Sequence, residues 1–245
     1  MEKLTEFMMK KQDLMYSISE QQKNNDSYWS IKSKFPDMMV TSIKRKRKNK
    51  KQLRIKREIG SHRRKFLMNI TVYLGANEGN DPCLRKAVEE LGTWIGNSGN
   101  ALVYGGSKCG LMGALADSVL KAGGNVTGVE PNFFIENEFQ HDGLTKLIVT
   151  KDMSERKNKM IELGEAFIAF PGGTGTLEEI AEVMSKVSLK HLDAPCILYN
   201  LNGYYDDLKS LLNHMIEKGL SSKERQEGIY FVENLDDIKR ILKLA

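Results

Sequence analysis

From Met68 onward short apolar runs alternate with amphipathic stretches, and the alternation predicts strands and helices in turn. Asn69–Leu74 (NITVYL) reads as a strand. Pro82–Gly96 reads as a helix, with Asp81 as N-cap and Pro82 in the first turn, where a missing N–H leaves no bond unmade. Ala101–Tyr104 is a second strand, entering the glycine cluster GGSKCGLMG at 105–113; a helix then runs to about Ala122 and stops at Gly123-Gly124. Asn125–Glu130 and Leu147–Thr150 are strands on either side of an irregular segment, 131–146. Helix 153–164 leads to strand Ala166–Phe170, and PGGTGT opens a helix reaching about Leu189. Pro195–Asn200 is a strand, 204–219 a helix, Gly228–Val232 a short edge strand and Leu235–Leu244 a helix. Strands alternating with helices imply an α/β fold, a doubly wound, mainly parallel sheet with helices on both faces. Ligands in such folds sit at the carboxyl ends of the strands, where both glycine clusters fall.

Charge divides the chain sharply. Of 245 residues, 37 are Lys or Arg and 32 Asp or Glu, yet residues 1–67 hold 19 of the basic and 7 of the acidic side chains. Residues 68–245 are therefore acidic, and suit one globular domain with a sizeable core. Residues 44–65 carry 13 basic residues in 22, with almost nothing to bury, so 1–67 is expected to be a disordered extension or a translated leader upstream of the native start. The leader reading rests on Arg63-Arg64 and Lys65–Leu67, which can be encoded as a purine-rich ribosome-binding sequence and spacer ahead of Met68. The competing reading is an arm for nucleic acid or another anionic surface; nucleic acid is otherwise not an expected partner. No run of 18 apolar residues and no secretory signal is visible, so a cytoplasmic protein without a membrane partner is expected. Cys83, Cys109 and Cys196 are widely spaced and lack a ligand pattern, and neither disulfides nor metal are expected.

The glycine clusters fit no familiar nucleotide signature. Gly105 and Gly110 have P-loop spacing, but Leu111-Met112 stand where Lys and Ser/Thr would meet phosphate and magnesium. A dinucleotide fingerprint belongs after the first strand, which offers only Gly75-Ala-Asn-Glu-Gly79. What remains is backbone N–H at helix N-termini, which suits a mononucleotide phosphate; tight turning and close packing explain Gly105–Gly113 equally well. Pro171–Glu179 (PGGTGTLEE) is more specific: three glycines strip a strand-to-helix corner, two threonines supply hydroxyls, and two carboxylates follow in the first turn. Upstream, Met153–Lys157 (MSERK) puts two cations where the helix dipole disfavours them, a local inconsistency expected of functional sites.

PGGTGTLEE and MSERK resemble, in the right order and about twenty residues apart, the P-G-G-x-G-T-x-x-E and M-H-x-R-K motifs of the Lonely Guy family of cytokinin riboside 5′-monophosphate phosphoribohydrolases. The cluster at 105–113 is similar to that family's G-G-x-x-x-G-L-M-G segment, and the likeness covers 68–245. The resemblance implies a Rossmann-like fold, a homodimer with sites near the interface, no cofactor, and hydrolysis of the N-glycosidic bond of a purine nucleoside 5′-monophosphate, cytokinin-type or AMP. Older labels for such sequences say lysine decarboxylase; no sequence feature suggests a pyridoxal phosphate site, and that label is set aside.

By the same resemblance Arg156 and Glu179 are catalytic. Gly75, Gly105, Gly106, Met153 and Lys157 bind substrate, together with Gly172, Gly173, Thr174, Gly175, Thr176, Leu177 and Glu178. Glu138 matches a substrate-contacting glutamate by spacing, and Ser185 replaces a usual Thr. Ser154 stands for the motif His and Ala76 for a common Ser, departures that bear on cytokinin preference. A fixed carboxylate can stabilise the oxocarbenium character of glycosidic cleavage, and a guanidinium can bind phosphate or hydroxyl oxygens. The rival class is a non-catalytic nucleotide or molybdenum-cofactor carrier; retention of both Arg156 and Glu179 argues against it.

Overall fold

The computed structural model describes residues 68–135 and 139–244. The expectations for 1–67, and for Glu138, lie outside the described residues.

Seven strands form one sheet: β1 (Asn69–Tyr73), β2 (Ala101–Tyr104), β3 (Asn125–Pro131), β4 (Lys146–Thr150), β5 (Ala166–Ala169), β6 (Cys196–Tyr199) and β7 (Ile229–Val232). The helices are α1 (Pro82–Ser98), α2 (Gly110–Lys121), the four-residue α3 (Asn132–Ile135), α4 (Met153–Leu163), α5 (Thr174–Ser188), α6 (Asp206–Glu217) and α7 (Leu235–Leu244). The spatial order is β4-β3-β2-β1-β5-β6-β7, and every neighbouring pair is parallel. The chain starts at the centre with β1, moves out to β4, then returns to place β5 on the other flank of β1. The switch point therefore lies between β1 and β5, and their carboxyl ends open a crevice there.

Strand alternation explains the two cores. Ile70, Val72, Ala166 and Ile168 point to one face, under Val88, Leu91 and Ile95 of α1, Leu115 and Val119 of α2, and Ile238 of α7. Tyr73, Phe167 and Ala169 point to the other, under Met160 of α4 and Ile180, Val183 and Val187 of α5. With both faces covered, the central strands read as continuous apolar runs. Local signals hold the helix ends. The Asp81 carboxylate accepts from Cys83 N at 2.8 Å, Pro82 begins α1, and Gly99 ends it at φ 79°.

Most element ends fall within a residue or two of the sequence expectation. The irregular segment contains α3, too short to leave a periodic pattern, and α6 starts two residues late, after Tyr205, whose backbone is not helical (φ −103°, ψ 14°) and whose N–H donates to Asn200 Oδ1. Among the described residues no helix is long and apolar enough to cross a membrane.

Candidate active site

Three loops meet at the crevice: the turn after β1, the glycine turn after β2, and PGGTGT after β5. A Cβ on Gly110 would run into the Ala76 carbonyl, and Gly110 sits at φ 51°, so the start of α2 is locked against the first turn. A Cβ on Gly172 would strike the Thr176 hydroxyl and approach Gly75 N at 3.1 Å. These glycines are needed for packing. Gly173 and Gly175 are different: nothing lies within 4 Å of where their Cβ atoms would stand. The fold does not require glycine at either position, and both leave the N-terminus of α5 bare. Gly173 caps that helix without a side-chain bond, so the first-turn N–H groups face the crevice.

Two tyrosines hold this corner from below. Tyr204 Oη donates to the Gly172 carbonyl at 2.5 Å and Tyr205 Oη to the Phe170 carbonyl at 2.9 Å. Neither carries a motif signal beyond an aromatic pair ahead of a helix, and sequence reasoning did not single them out.

The cations at the start of α4 are both taken up by α5. Asp152 caps α4 by accepting from Glu155 N at 2.8 Å, and the Glu155 carboxylate accepts from Lys151 N at 2.9 Å. Arg156 then turns inward, 7% exposed, where its Nε donates to the Val129 carbonyl at 3.0 Å and its Nη1 to Glu179 Oε1 at 2.5 Å. Gly105 makes room for it, since a side chain there would collide with Arg156 Nη2 and the Met112 methyl. Glu179 is 8% exposed; burial pushes its carboxyl up, and the Arg156 guanidinium pulls it only part of the way back. Lys157 takes the outer lane, donating to Glu178 Oε1 at 2.5 Å with Glu182 at 3.8 Å, and the Glu178 carboxylate holds its ammonium above the ordinary lysine range.

The structure thus brings Gly75, Gly105, Arg156, Gly172, Gly173, Thr176 and Glu179 together at the carboxyl ends of β1, β2 and β5, with Lys157 and Glu178 on the rim. Gly106 adjoins them at φ 94°, and Thr174, Gly175 and Leu177 complete the first turn of α5. Met153 opens α4, partly exposed. Ser185 is not brought to the cluster: it lies six residues beyond Glu179 on the exposed side of α5, about 9 Å along the axis at 1.5 Å per residue. Among the described residues no group of three or more His, Cys, Asp or Glu could hold a metal.

A family model described as "Possible lysine decarboxylase" matches residues 112–242. The cytokinin riboside 5′-monophosphate phosphoribohydrolase of Rhodococcoides fascians is 40% identical over 169 residues, which span 69% of this chain and 85% of that one. The chain belongs to the Lonely Guy family. A second relative that carries the same enzyme name, from Arabidopsis thaliana, is 38% identical over 153 residues, 62% of this chain and 72% of its own. Solved structures of the same fold include the molybdenum cofactor carrier protein of Chlamydomonas reinhardtii (TM-score 0.56, 21% identity, 73% of this chain and 97% of that one). Another is the molybdenum cofactor binding protein of Rippkaea orientalis (TM-score 0.54, 21% identity, 73% and 96%). At that identity the likeness speaks for the Rossmann-like fold the sequence led us to expect, and for nothing finer.

Proposed function

We propose that this Lonely Guy protein hydrolyses the N-glycosidic bond of a purine nucleoside 5′-monophosphate, releasing free base and ribose 5-phosphate. The observation that carries the proposal is the buried Arg156–Glu179 pair beside an unencumbered helix N-terminus. In this reading the phosphate rests on the N–H groups of Gly173–Thr176, where donors and the helix dipole favour an anion. That places the ribose toward Glu179. As the C1′–N bond breaks, its electron pair leaves with the base, and C1′ gains oxocarbenium character. The Glu179 carboxylate stabilises that charge and takes a proton from the attacking water, whose oxygen forms the new C1′ bond; the proton is passed on to the departing base. Arg156 fixes the carboxylate and presents Nη2 to a ribose or phosphate oxygen.

The test is incubation of the full chain with AMP and with isopentenyladenosine 5′-monophosphate, and chromatographic separation of the bases. Release of adenine or of its N6-prenylated form is expected, and the faster of the two names the physiological class. Binding of both nucleotides without release would point instead to a carrier.

Gly173→Val provides an independent check on the phosphate cradle. With open space around residue 173, the variant should melt within about 2 °C of the parent. It should bind the monophosphate at least about tenfold more weakly and the free nucleoside almost unchanged, since a branched side chain keeps the anion off the backbone. Equal losses for both ligands in calorimetry would remove the cradle.

We also infer a two-fold homodimer. The stripe Ile180, Val183, Met184 and Val187 of α5 is buried in the chain's own core. The outward face of α5 carries another, Leu177 (45% exposed), Ala181, Ser185 and Leu189 (52%), spaced at four residues with small side chains at its centre. A symmetry mate packed there would bring Ser185 to the partner's side of the site. Light scattering at micromolar concentration should give twice the chain mass; a fully active monomer would end the inference.

A further inference from the structure

Glu130 is the buried side chain that this chemistry leaves unused. It lies at the carboxyl end of β3, one residue after the carbonyl that anchors Arg156, and is 1% exposed. Its Oε2 has no hydrogen-bond partner among the described residues. A buried acceptor left without a hydrogen bond is costly, so its persistence asks for an explanation. Glu130 packs under Gly106, where a Cβ would stand 3.2 Å from Oε2; Arg156 Nη2 packs under the adjacent Gly105. Consecutive glycines thus cover a guanidinium bonded to one carboxyl, Glu179, and a second carboxyl, Glu130, whose Oε2 is unbonded.

We propose that Glu130 is a second, competing carboxyl partner for Arg156, a positioning residue whose charge state decides whether the guanidinium stays on Glu179. This rests on the hydrolase reading of the same site. With Nε on the Val129 carbonyl and Nη1 on Glu179, the guanidinium makes no bond to Glu130 Oε2 as it stands, and it must leave its present geometry to bond an ionised Glu130 there. Burial pushes the Glu130 carboxyl up, with Arg156 opposing, and Glu179 shows the same balance but holds the direct bond. On this proposal a proton held at the site sits on Glu130, whose Oε2 has no bond to lose, and not on Glu179, which holds the direct bond to Arg156. Among the described residues, Arg156 is the charged group that acts on Glu130. The β2 side presents Tyr104, whose phenol is pushed up by burial and by Glu130 and stays neutral; Asp117 of α2 also acts on Tyr104 and is paired with His141. On the β4 side Glu130 is in register with Val149.

While Glu130 is neutral, Arg156 is held on Glu179 and the site is ordered. When Glu130 ionises, a second carboxylate competes for the same guanidinium and adds negative charge near a phosphate-bearing substrate. Turnover then falls on the alkaline side of the pH–rate profile.

The experiment compares full-length parent, Glu130→Gln and Glu130→Leu, measuring kcat/KM against pH on whichever of AMP or isopentenyladenosine 5′-monophosphate is hydrolysed. The alkaline limb should move up by about one pH unit or more in both variants, since neither can ionise. Leu serves where the Gln amide disturbs packing. Profiles of unchanged shape, merely scaled, would make Glu130 structural and overturn the inference while leaving the hydrolase reading intact. Thermal melting against pH reads the same ionisation without turnover. A carboxyl whose pKa is raised in the folded state is stabilising when protonated and loses that contribution as pH rises through the folded value. The parent should therefore lose melting temperature relative to Glu130→Gln as pH rises. A difference independent of pH would overturn the proposal even if the parent hydrolysed neither nucleotide, an outcome that would separately defeat the hydrolase reading.

Discussion

Glu179→Gln should lower the rate of base release by about 10³-fold while monophosphate affinity stays within a few fold, because the negative charge is required by the oxocarbenium-like transition state far more than by the bound ground state. Gln keeps the shape and the acceptor that Arg156 Nη1 uses, so the change isolates charge. The cost in stability is real: removing one partner of a buried ion pair leaves the other uncompensated, at about 3–5 kcal/mol in the strong cases. The measurement is therefore single-turnover base release beside equilibrium binding, at a temperature below the variant's own melting point. Glu178→Gln is the companion. Glu178 is exposed and holds only Lys157 at the rim, so losing it should cost less than about 1 kcal/mol. Reversed severities would shift the catalytic position by one residue, and undiminished turnover in Glu179→Gln would remove the proposed mechanism.

Arg156→Lys should be nearly as damaging despite conserving charge. Arg156 joins two acceptors from different elements, the Val129 carbonyl through Nε and Glu179 through Nη1. A lysine has one terminal nitrogen on a flexible stem and cannot hold both while presenting a third donor to the ligand. A fall in kcat/KM of about 10²-fold or more is expected, most of it in kcat, with the Glu179 carboxyl no longer fixed. Arg156→Met goes further. With the cation gone, only the weaker pull of Lys157 opposes the upward push of burial on Glu179, and the variant's stability deficit should widen as pH rises, since the neutral carboxyl is tolerated better than the ionised one. A Met variant whose deficit stays level from acid to alkaline pH would mean that Arg156 does not control Glu179.

Sequence periodicity was enough to lay out nearly the whole sheet, because strands covered on both faces leave apolar runs and caps such as Asp81 and Gly99 act locally. The site was legible where its chemistry is written in consecutive residues. PGGTGTLEE announced its bare corner, and the awkward cations of MSERK were explained by the acidic turn of α5. Other features depended on distance in space. Nothing local distinguishes Gly173, free of neighbours, from Gly172, packed against Thr176, yet only the first is spare for a ligand. Nor does Glu130 stand out in VTGVEP, where one carboxylate before a proline resembles a surface residue; its burial follows from β2 and β4 flanking its strand. The face of α5 that the sheet covers was illegible for a related reason. Two apolar faces at helical spacing overlap on that helix, and the sequence does not say which one the sheet covers.

The position of β1 between β2 and β5 also bears on how the protein comes to be active. Asn69 N meets the Glu165 carboxylate, 96 residues away along the chain, and the β1–β5 ladder continues from there. One bank of the crevice is built from residues up to β3 and the other from α4 onward. A contact of that sequence separation pays its loop-closure entropy before it gains any packing, and such pairings form slowly. Hairpin-like local order cannot shortcut it in a wholly parallel sheet. During refolding, helical signal should therefore return ahead of nucleotide affinity, and affinity should appear together with the last burial of tyrosine, when the central ladder closes.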